Sequence, residues 1–315
     1  MDNEITRALL LAEHCWFRVD VVPGQPDITA YKGRARLHQA RWRQMRQLPV
    51  GGQLQRDGSR APVGSRLDLA HAEATAANFL SSRITAAVHH RVAHPEAHQT
   101  LNMERLWSDL LSSMPMCFNL LGELWGDSER ATAAVSGWFP DVPGTVGELR
   151  FEWSPGRLDP SYLGNRPAFD AVFLLDLPGG TKGVLGLETK YHEHAQVEAR
   201  PRPDPCTATA RSPSGRACSN LVGEELLVGT DLQQLWLDHL LALSIAQHPS
   251  GDWSWARFVL VHPAGNLSFA AAADRYLRVL SDASTFQVRT LEQLLKDACG
   301  LPESLVASLR ERYLW

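Results

Sequence analysis

The segment 169–191 constrains this chain more than any other. Two strongly apolar runs, 169–177 and 184–191, flank Pro178-Gly179-Gly180-Thr181. Runs of this kind bounded by a Pro/Gly turn read as two buried strands joined in an antiparallel hairpin. A hairpin centred on Gly180 pairs residues whose numbers sum to about 360. Lys190 then faces Asp170, and Glu188 faces Val172. Side chains alternate along a strand, so Asp170 shares a face with Val172, and Glu188 shares one with Lys190. Opposed residues lie about 5 Å apart and diagonal ones about 8 Å. Asp170, Glu188 and Lys190 are thereby predicted to gather at one end of a sheet.

That grouping has a definite chemistry. Two carboxylates facing one point suit a hard, oxygen-seeking cation such as magnesium. Such an ion can bind a phosphate oxygen, polarise the phosphorus and lower the pKa of a bound water. A lysine beside it can orient that water or neutralise charge developing on the phosphate. The expected activity is metal-dependent phosphodiester hydrolysis. Glu-x-Lys alone carries little weight, since Glu188-Thr189-Lys190 could equally be a solvated strand end. The hairpin and its apolar strands give it weight.

The flanking sequence supplies a core around this hairpin. Residues 149–153 read as a short aromatic strand before it. After it come an amphipathic helix at 232–246, a buried strand at 256–262, and a helix, strand and helix at 270–280, 285–289 and 291–298. Upstream, 34–48 reads as a basic helix, followed by a polar loop to Ser65. Residues 67–92 are Ala-rich with helical spacing, and 101–124 reads as one amphipathic helix bent at Pro115. The stretch 196–222, rich in Pro, Arg, Ala and Ser, reads as a long loop. The expected fold is α/β, a central mixed sheet with helices on both sides in the order αβββαβ. A mostly helical, partly basic extension over 1–100 precedes a main domain over 101–315.

Composition narrows the class further. The chain has 315 residues, 44% hydrophobic and 21% charged. No apolar run is as long as a membrane span, and residues 1–17 lack the basic start and cleavage site of a signal peptide, so a cytoplasmic protein is expected. The five cysteines are scattered and odd in number, which reads as free thiols rather than a disulfide framework. Without a Walker-type loop, no use of ATP is implied. His90, His94 and His98 recur at helical spacing, but Pro95 interrupts them. His192 and His194 read as residues at the mouth of the site or as solvated histidines.

The formal charge of −4 does not advertise a nucleic-acid binder. Yet residues 32–66 hold Lys32 and eight arginines against the single acid Asp57. Arg34, Arg36, Arg41, Arg43 and Arg46 are candidate phosphate contacts. The alternative is a basic face that pairs with acids elsewhere.

Several segments together carry a family resemblance. They are LLSSMPMCFNLLG at 110–122, FEWSP at 151–155, FDA at 169–171, GLETKY at 186–191, and LQQLW at 232–236 leading into HLLA at 239–242. In this order they resemble the PD-(D/E)XK nuclease superfamily, and within it a bacterial family of restriction-endonuclease-like proteins. The resemblance implies a restriction-endonuclease-like core in which Asp170 and Glu188 hold metal and Lys190 is the catalytic lysine. Glu152, one strand earlier, is either a further metal ligand or an exposed strand acid. Gln233 or Gln234 stands where the superfamily often places a polar residue facing the site. Phe169 precedes Asp170 in place of the proline of the motif, and Leu237 occupies a position where a basic residue is expected.

The implied cofactor is Mg²⁺, with Mn²⁺ able to substitute. The implied substrate is nucleic acid, double-stranded DNA first, in a restriction or defence setting. A homodimer is expected if both strands are cut. Two alternatives remain open at this point: a non-catalytic nucleic-acid-binding protein that keeps the nuclease fold, and a nuclease directed at RNA.

Overall fold

The computed structural model describes residues 5–99, 101–197 and 227–315. The chain starts with a short helix α1 (Arg7–Ala12) and a long helix α2 (Pro26–Met45), whose Pro26 sits at the first turn, where no amide donor is needed. A hairpin of β1 (Val50–Leu54) and β2 (Arg60–Leu67) follows. Next come five helices: α3 (Leu69–Thr75), α4 (Ser82–Ala93), α5 (Met103–Ser108), α6 (Ser113–Leu121) and α7 (Ser128–Trp138). Asp68, Ser81, Asn102, Ser112 and Asp127 cap them through side-chain oxygens, satisfying amides that the first turn leaves unpaired.

The central sheet opens with β3 (Thr145–Trp153), β4 (Phe169–Asp176) and β5 (Lys182–Thr189). Helix α8 (Gln233–Ala246) leads to β6 (Trp253–His262). After it come α9 (Leu267–Val279), β7 (Phe286–Thr290), α10 (Leu291–Lys296) and α11 (Glu303–Tyr313). The strand order is β3-β4-β5-β6-β7, antiparallel across the first three strands and parallel across the last two. This is the α/β sheet of order αβββαβ that the sequence predicts.

Period-two alternation sorts the sheet's side chains into two apolar layers. Phe151, Ala171, Phe173, Leu185, Leu187 and Val259 pack with Phe118 and Leu121 of α6, Trp138 of α7 and Leu309 of α11. Val172, Val184, Phe258 and Leu260 pack instead with Trp236 and Leu240 of α8 and Tyr276 of α9. The N-terminal extension shares the first layer, because Trp42, Leu67, Ile84 and Val88 belong to the same cluster as Phe151 and Phe173.

Several details differ from the sequence expectation. Part of the polar loop before Ser65 is the β1–β2 hairpin. Its strands are rich in Gly and lack apolar alternation, because the backbones approach too closely for side chains: a Cβ on Gly51 would lie 2.0 Å from the Leu67 carbonyl oxygen. The single helix over 101–124 is two helices, α5 and α6, with Pro115 in the first turn of the second and therefore without a kink. The Ala-rich run 67–92 also divides, at Ala76 in the left-handed region. From residue 198 on, the expected loop 196–222 lies outside the described residues.

Candidate active site

The register of the sheet builds the site. Phe151 pairs with Ala171 and Trp153 with Phe169, so Glu152 stands beside Asp170. Ala171 also pairs with Leu187, so the next step along both strands sets Glu188 beside Asp170. Three acids on three adjacent strands thus come abreast. This corrects the predicted register. Asp176 pairs with Lys182 and Leu177 closes on Thr181, which centres the turn on Gly179 rather than Gly180. Partners therefore shift by two residues, and a shift of two keeps every side chain on its face. Asp170 faces Glu188 directly, while Lys190 lies beyond the strand end, its amide bonded to the Val261 carbonyl on β6. Gly186 makes room at this end: a Cβ there would fall 2.5 Å from the Phe169 ring.

Hydrogen bonds fix the carboxylates. Asp170 Oδ2 accepts from the Thr189 amide at 2.8 Å and from its hydroxyl at 2.6 Å. Lys190 Nζ lies 2.7 Å from Glu188 Oε1 and donates to Gln234 Oε1 at 3.1 Å. Gln234 Nε2 donates in turn to Glu188 Oε1 at 3.1 Å, so one amide ties the acid to the lysine. Of the two candidates, Gln234 makes these bonds to Glu188 and Lys190. Gln233 instead accepts from the Gly229 amide through its side-chain oxygen.

Burial and mutual repulsion load these acids. Burial, then the neighbouring Asp170 and Glu188 charges, pushes the Glu152 carboxyl up to about 8. Burial and Asp170 push Glu188 up to about 7. Burial also raises Asp170, against Lys190 and the Thr189 bonds. Burial works against the charge on Lys190, but Glu188, Glu193 and Asp170 outweigh it and hold the ammonium above its usual range.

Three features of the site were not visible in the sequence. Glu152 has a φ of +50°, a left-handed conformation that costs a non-glycine residue about 1 kcal/mol or more. Its carbonyl accepts from Arg157 at 2.7 Å and from Arg91 at 3.4 Å, and both arginines pair with Glu96, so a buried clamp holds the turned strand end. Glu193 is a further acid near the site, accepting from the Tyr191 amide at 2.9 Å and from Ser113 at 3.1 Å. Asn266 caps α9 and donates to the Tyr191 and Glu193 carbonyls at 3.0 and 2.8 Å, pinning the turn after Lys190. A loop after a strand end has no periodicity to read, which is why Glu193 stayed hidden beside the more conspicuous histidines.

The remaining candidates fall elsewhere. His192 contacts Asp20 at 3.2 Å and His194 contacts Lys32 at 3.3 Å, so neither is a free solvated side chain. Arg36 is bound to Asp20, and Arg43 donates to the Gly64 and Leu48 carbonyls. Arg46 pairs with Glu311 at 3.1 Å on the surface. Arg34 and Arg41 are exposed and have no ion pair among the described residues. His90 and His94 stack on each other with ring centroids 4.4 Å apart. Cys15, Cys117 and Cys299 are free thiols.

Among the described residues no three His, Cys, Asp or Glu side chains form a ready cage for an ion. The donor chemistry nevertheless fits a divalent cation. Asp170 Oδ1, Glu188 Oε2 and the Glu152 carboxylate accept no hydrogen bond from the described residues, and burial disfavours the ionised form of all three acids, a penalty that a bound cation would offset. Magnesium is commonly held by one or two carboxylates with waters and substrate phosphate completing its shell, so a full protein cage is not required.

A mixed αβββαβ sheet with acids abreast at one strand end and a lysine two residues beyond the last is the architecture of the carboxylate-and-lysine nucleases. The model of the PD-(D/E)XK nuclease superfamily matches residues 27–315, in keeping with the five-stranded mixed sheet and its flanking helices. The chain belongs to that superfamily. Comparison with curated proteins found no match, and neither did comparison with solved structures. Among the described residues no helix is long and apolar enough to cross a membrane.

Proposed function

We propose that this protein is a Mg²⁺-dependent DNA endonuclease of restriction or defence type, working in the cytoplasm. Mn²⁺ would substitute for Mg²⁺. The observation that carries the reading is the row Glu152, Asp170 and Glu188 with Lys190 held charged at its end. Asp170 and Glu188 would hold the ion, with Glu152 as a third donor. Bound there, the ion would supply polarisation of the scissile phosphate and a more acidic water.

The protein's own groups do the rest. Lys190 has three N–H donors, and Glu188 and Gln234 take two of them. One remains for the attacking water or a phosphate oxygen. Held beside Glu188 and Gln234, the Lys190 ammonium would serve as a positioned cation and hydrogen-bond donor. Gln234 keeps the ammonium and the Glu188 carboxylate in register. Cutting both strands of a duplex calls for two such sites, and a homodimer would provide them.

Substitution tests the reading. Asp170→Asn, Glu188→Gln and Lys190→Ala should each abolish metal-dependent cleavage of DNA while circular dichroism shows an intact fold. A folded triple variant that cut at the wild-type rate would end the proposal. Salt-sensitive binding of DNA without cleavage in any metal would instead point to a binding protein that keeps the fold.

A further inference from the structure

A second concave surface lies apart from the carboxylate row. It is an open cleft of about 1200 Å³ between α1, the segment 15–26 and α2. Small-molecule pockets commonly occupy about 300–1,000 Å³, so this one has room for an extended ligand. Its wall at α1 and Trp16 lies before residue 27, where the match to the superfamily model begins, so membership of the superfamily does not assign it.

The charge of the cleft is one-sided. Arg7, Arg34 and Arg41 line it, are exposed, and have no carboxylate partner among the described residues. Arg34 and Arg41 lie seven positions apart on α2, on one helix face and about 10 Å apart along its axis. Among the described residues Asp20 is the one acidic side chain that lines it, and it is already engaged by Arg36, Lys32 and His192. Those contacts, with burial opposing them, hold its carboxyl well below the usual range. The described residues of the cleft therefore present three exposed guanidinium groups that no described carboxylate pairs.

Aromatic rings stand among these cations. Trp16, Phe17, His38 and Trp315 line the cleft, and Trp315 is half exposed beside His38, with ring centroids 5.2 Å apart. Arg7 and Arg36 already lie 4.4 Å over the Trp16 and Phe17 rings, so Trp315 offers the exposed ring, and guanidinium groups beside an exposed aromatic ring suit a strand whose bases are unstacked. A duplex keeps its base faces stacked inside and offers such a groove only phosphates. The cleft wall is joined to the segment after the catalytic strand, because Asp20 contacts His192 at 3.2 Å, two residues beyond Lys190.

We infer that this cleft binds a single-stranded segment of nucleic acid, with phosphates on Arg34, Arg41 and Arg7 and a base against Trp315. The inference rests on the nuclease reading for its purpose, and it narrows the substrate to nucleic acid with an unpaired stretch next to the cut site.

The test separates binding from cleavage. Fluorescence anisotropy in EDTA, where no metal-dependent cutting occurs, compares a labelled oligothymidylate with a blunt duplex of equal length. The wild type should prefer the single strand. The double variant Arg34→Ala/Arg41→Ala should bind it about tenfold or more weakly, with a salt slope smaller by about 1.4 for two lost contacts. Trp315→Ala should weaken the same complex by about fivefold or more. Blunt-duplex binding should change little in either variant. Arg34 and Arg41 are exposed, so thermal melts of the double variant should match the wild type, and Trp315→Phe, which keeps a ring against Tyr31 and His38, should retain more binding than Trp315→Ala.

Unchanged single-strand affinity in both variants would overturn the inference. So would an equal loss on the duplex, which would make the arginines general phosphate contacts. If single-strand binding falls as expected but no metal supports cleavage, the cleft stands and the catalytic reading falls.

Discussion

Lys190 keeps its charge in a place where burial alone would remove it, and this decides its role. Glu188 and Gln234 hold its ammonium, and Gln234 holds both. Gln234→Ala frees the pair without removing either charge. Loss of one such hydrogen-bonded link should slow cleavage about tenfold, equivalent to about 1.4 kcal/mol. Steady-state rates of the variant at saturating metal check this, and an unchanged rate would show that the amide is a bystander. A second prediction at this scale concerns His239, away from the site. It contacts the Tyr276 hydroxyl and Thr285 Oγ1, each at 2.9 Å, and packs between Phe258 and Phe286. Burial pushes its imidazole down to about 4, with Asp282 and Thr285 opposing. Between about pH 6.5 and pH 4 the unfolded chain binds a proton that the folded chain refuses. Stability from this group is therefore complete above about pH 6.5 and lost as pH falls through that window, about 3 kcal/mol in all. Urea midpoints across the window should fall less steeply for His239→Gln than for the wild type. Equal slopes would place the acid sensitivity elsewhere.

At the scale of elements, the site depends on how strand ends are held. Gly186 leaves space for the Phe169 ring across the hairpin, so Gly186→Ala must displace a rigid ring beside Asp170. A cost of roughly 1–3 kcal/mol is expected in chemical denaturation. Asn266→Ala removes a helix cap and two bonds to the turn after Lys190, and should cost about 2 kcal/mol. The elements legible in the sequence are those that bury a regular pattern. The runs at 169–177 and 184–191 and the helix at 232–246 gave the sheet and its cover. The β1–β2 hairpin escaped because its glycines answer to a close backbone approach, which leaves no hydrophobic period. The acids and the lysine were legible because alternation survives a register shift of two. The Glu152 turn was not, because it comes from Arg91, Glu96 and Arg157, which are distant in sequence. Nor did a run of arginines reveal which were already bonded: Arg36 and Arg43 are held internally, while Arg34 and Arg41 are free of ion pairs among the described residues.

For the molecule as a whole, the crowded acids make the metal-free fold carry an electrostatic load. A ligand that binds only the folded state stabilises it by about 2.7 kcal/mol at a hundredfold excess over its Kd. Mg²⁺ should therefore raise the wild-type melting temperature relative to EDTA, and Asp170→Asn should melt no lower than the wild type in EDTA while losing the increment. An equal increment in both proteins would put the ion elsewhere. If the Asp170, Glu188 and Lys190 site cuts DNA as proposed, the activity must need both the metal and the lysine. Incubation of supercoiled plasmid with wild type and Lys190→Ala, each in Mg²⁺ and in EDTA, separates the two requirements. Nicked or linear product with the wild type in Mg²⁺ alone is the predicted result. Cleavage that persists in EDTA, or in the folded Lys190→Ala variant at the wild-type rate, would contradict it.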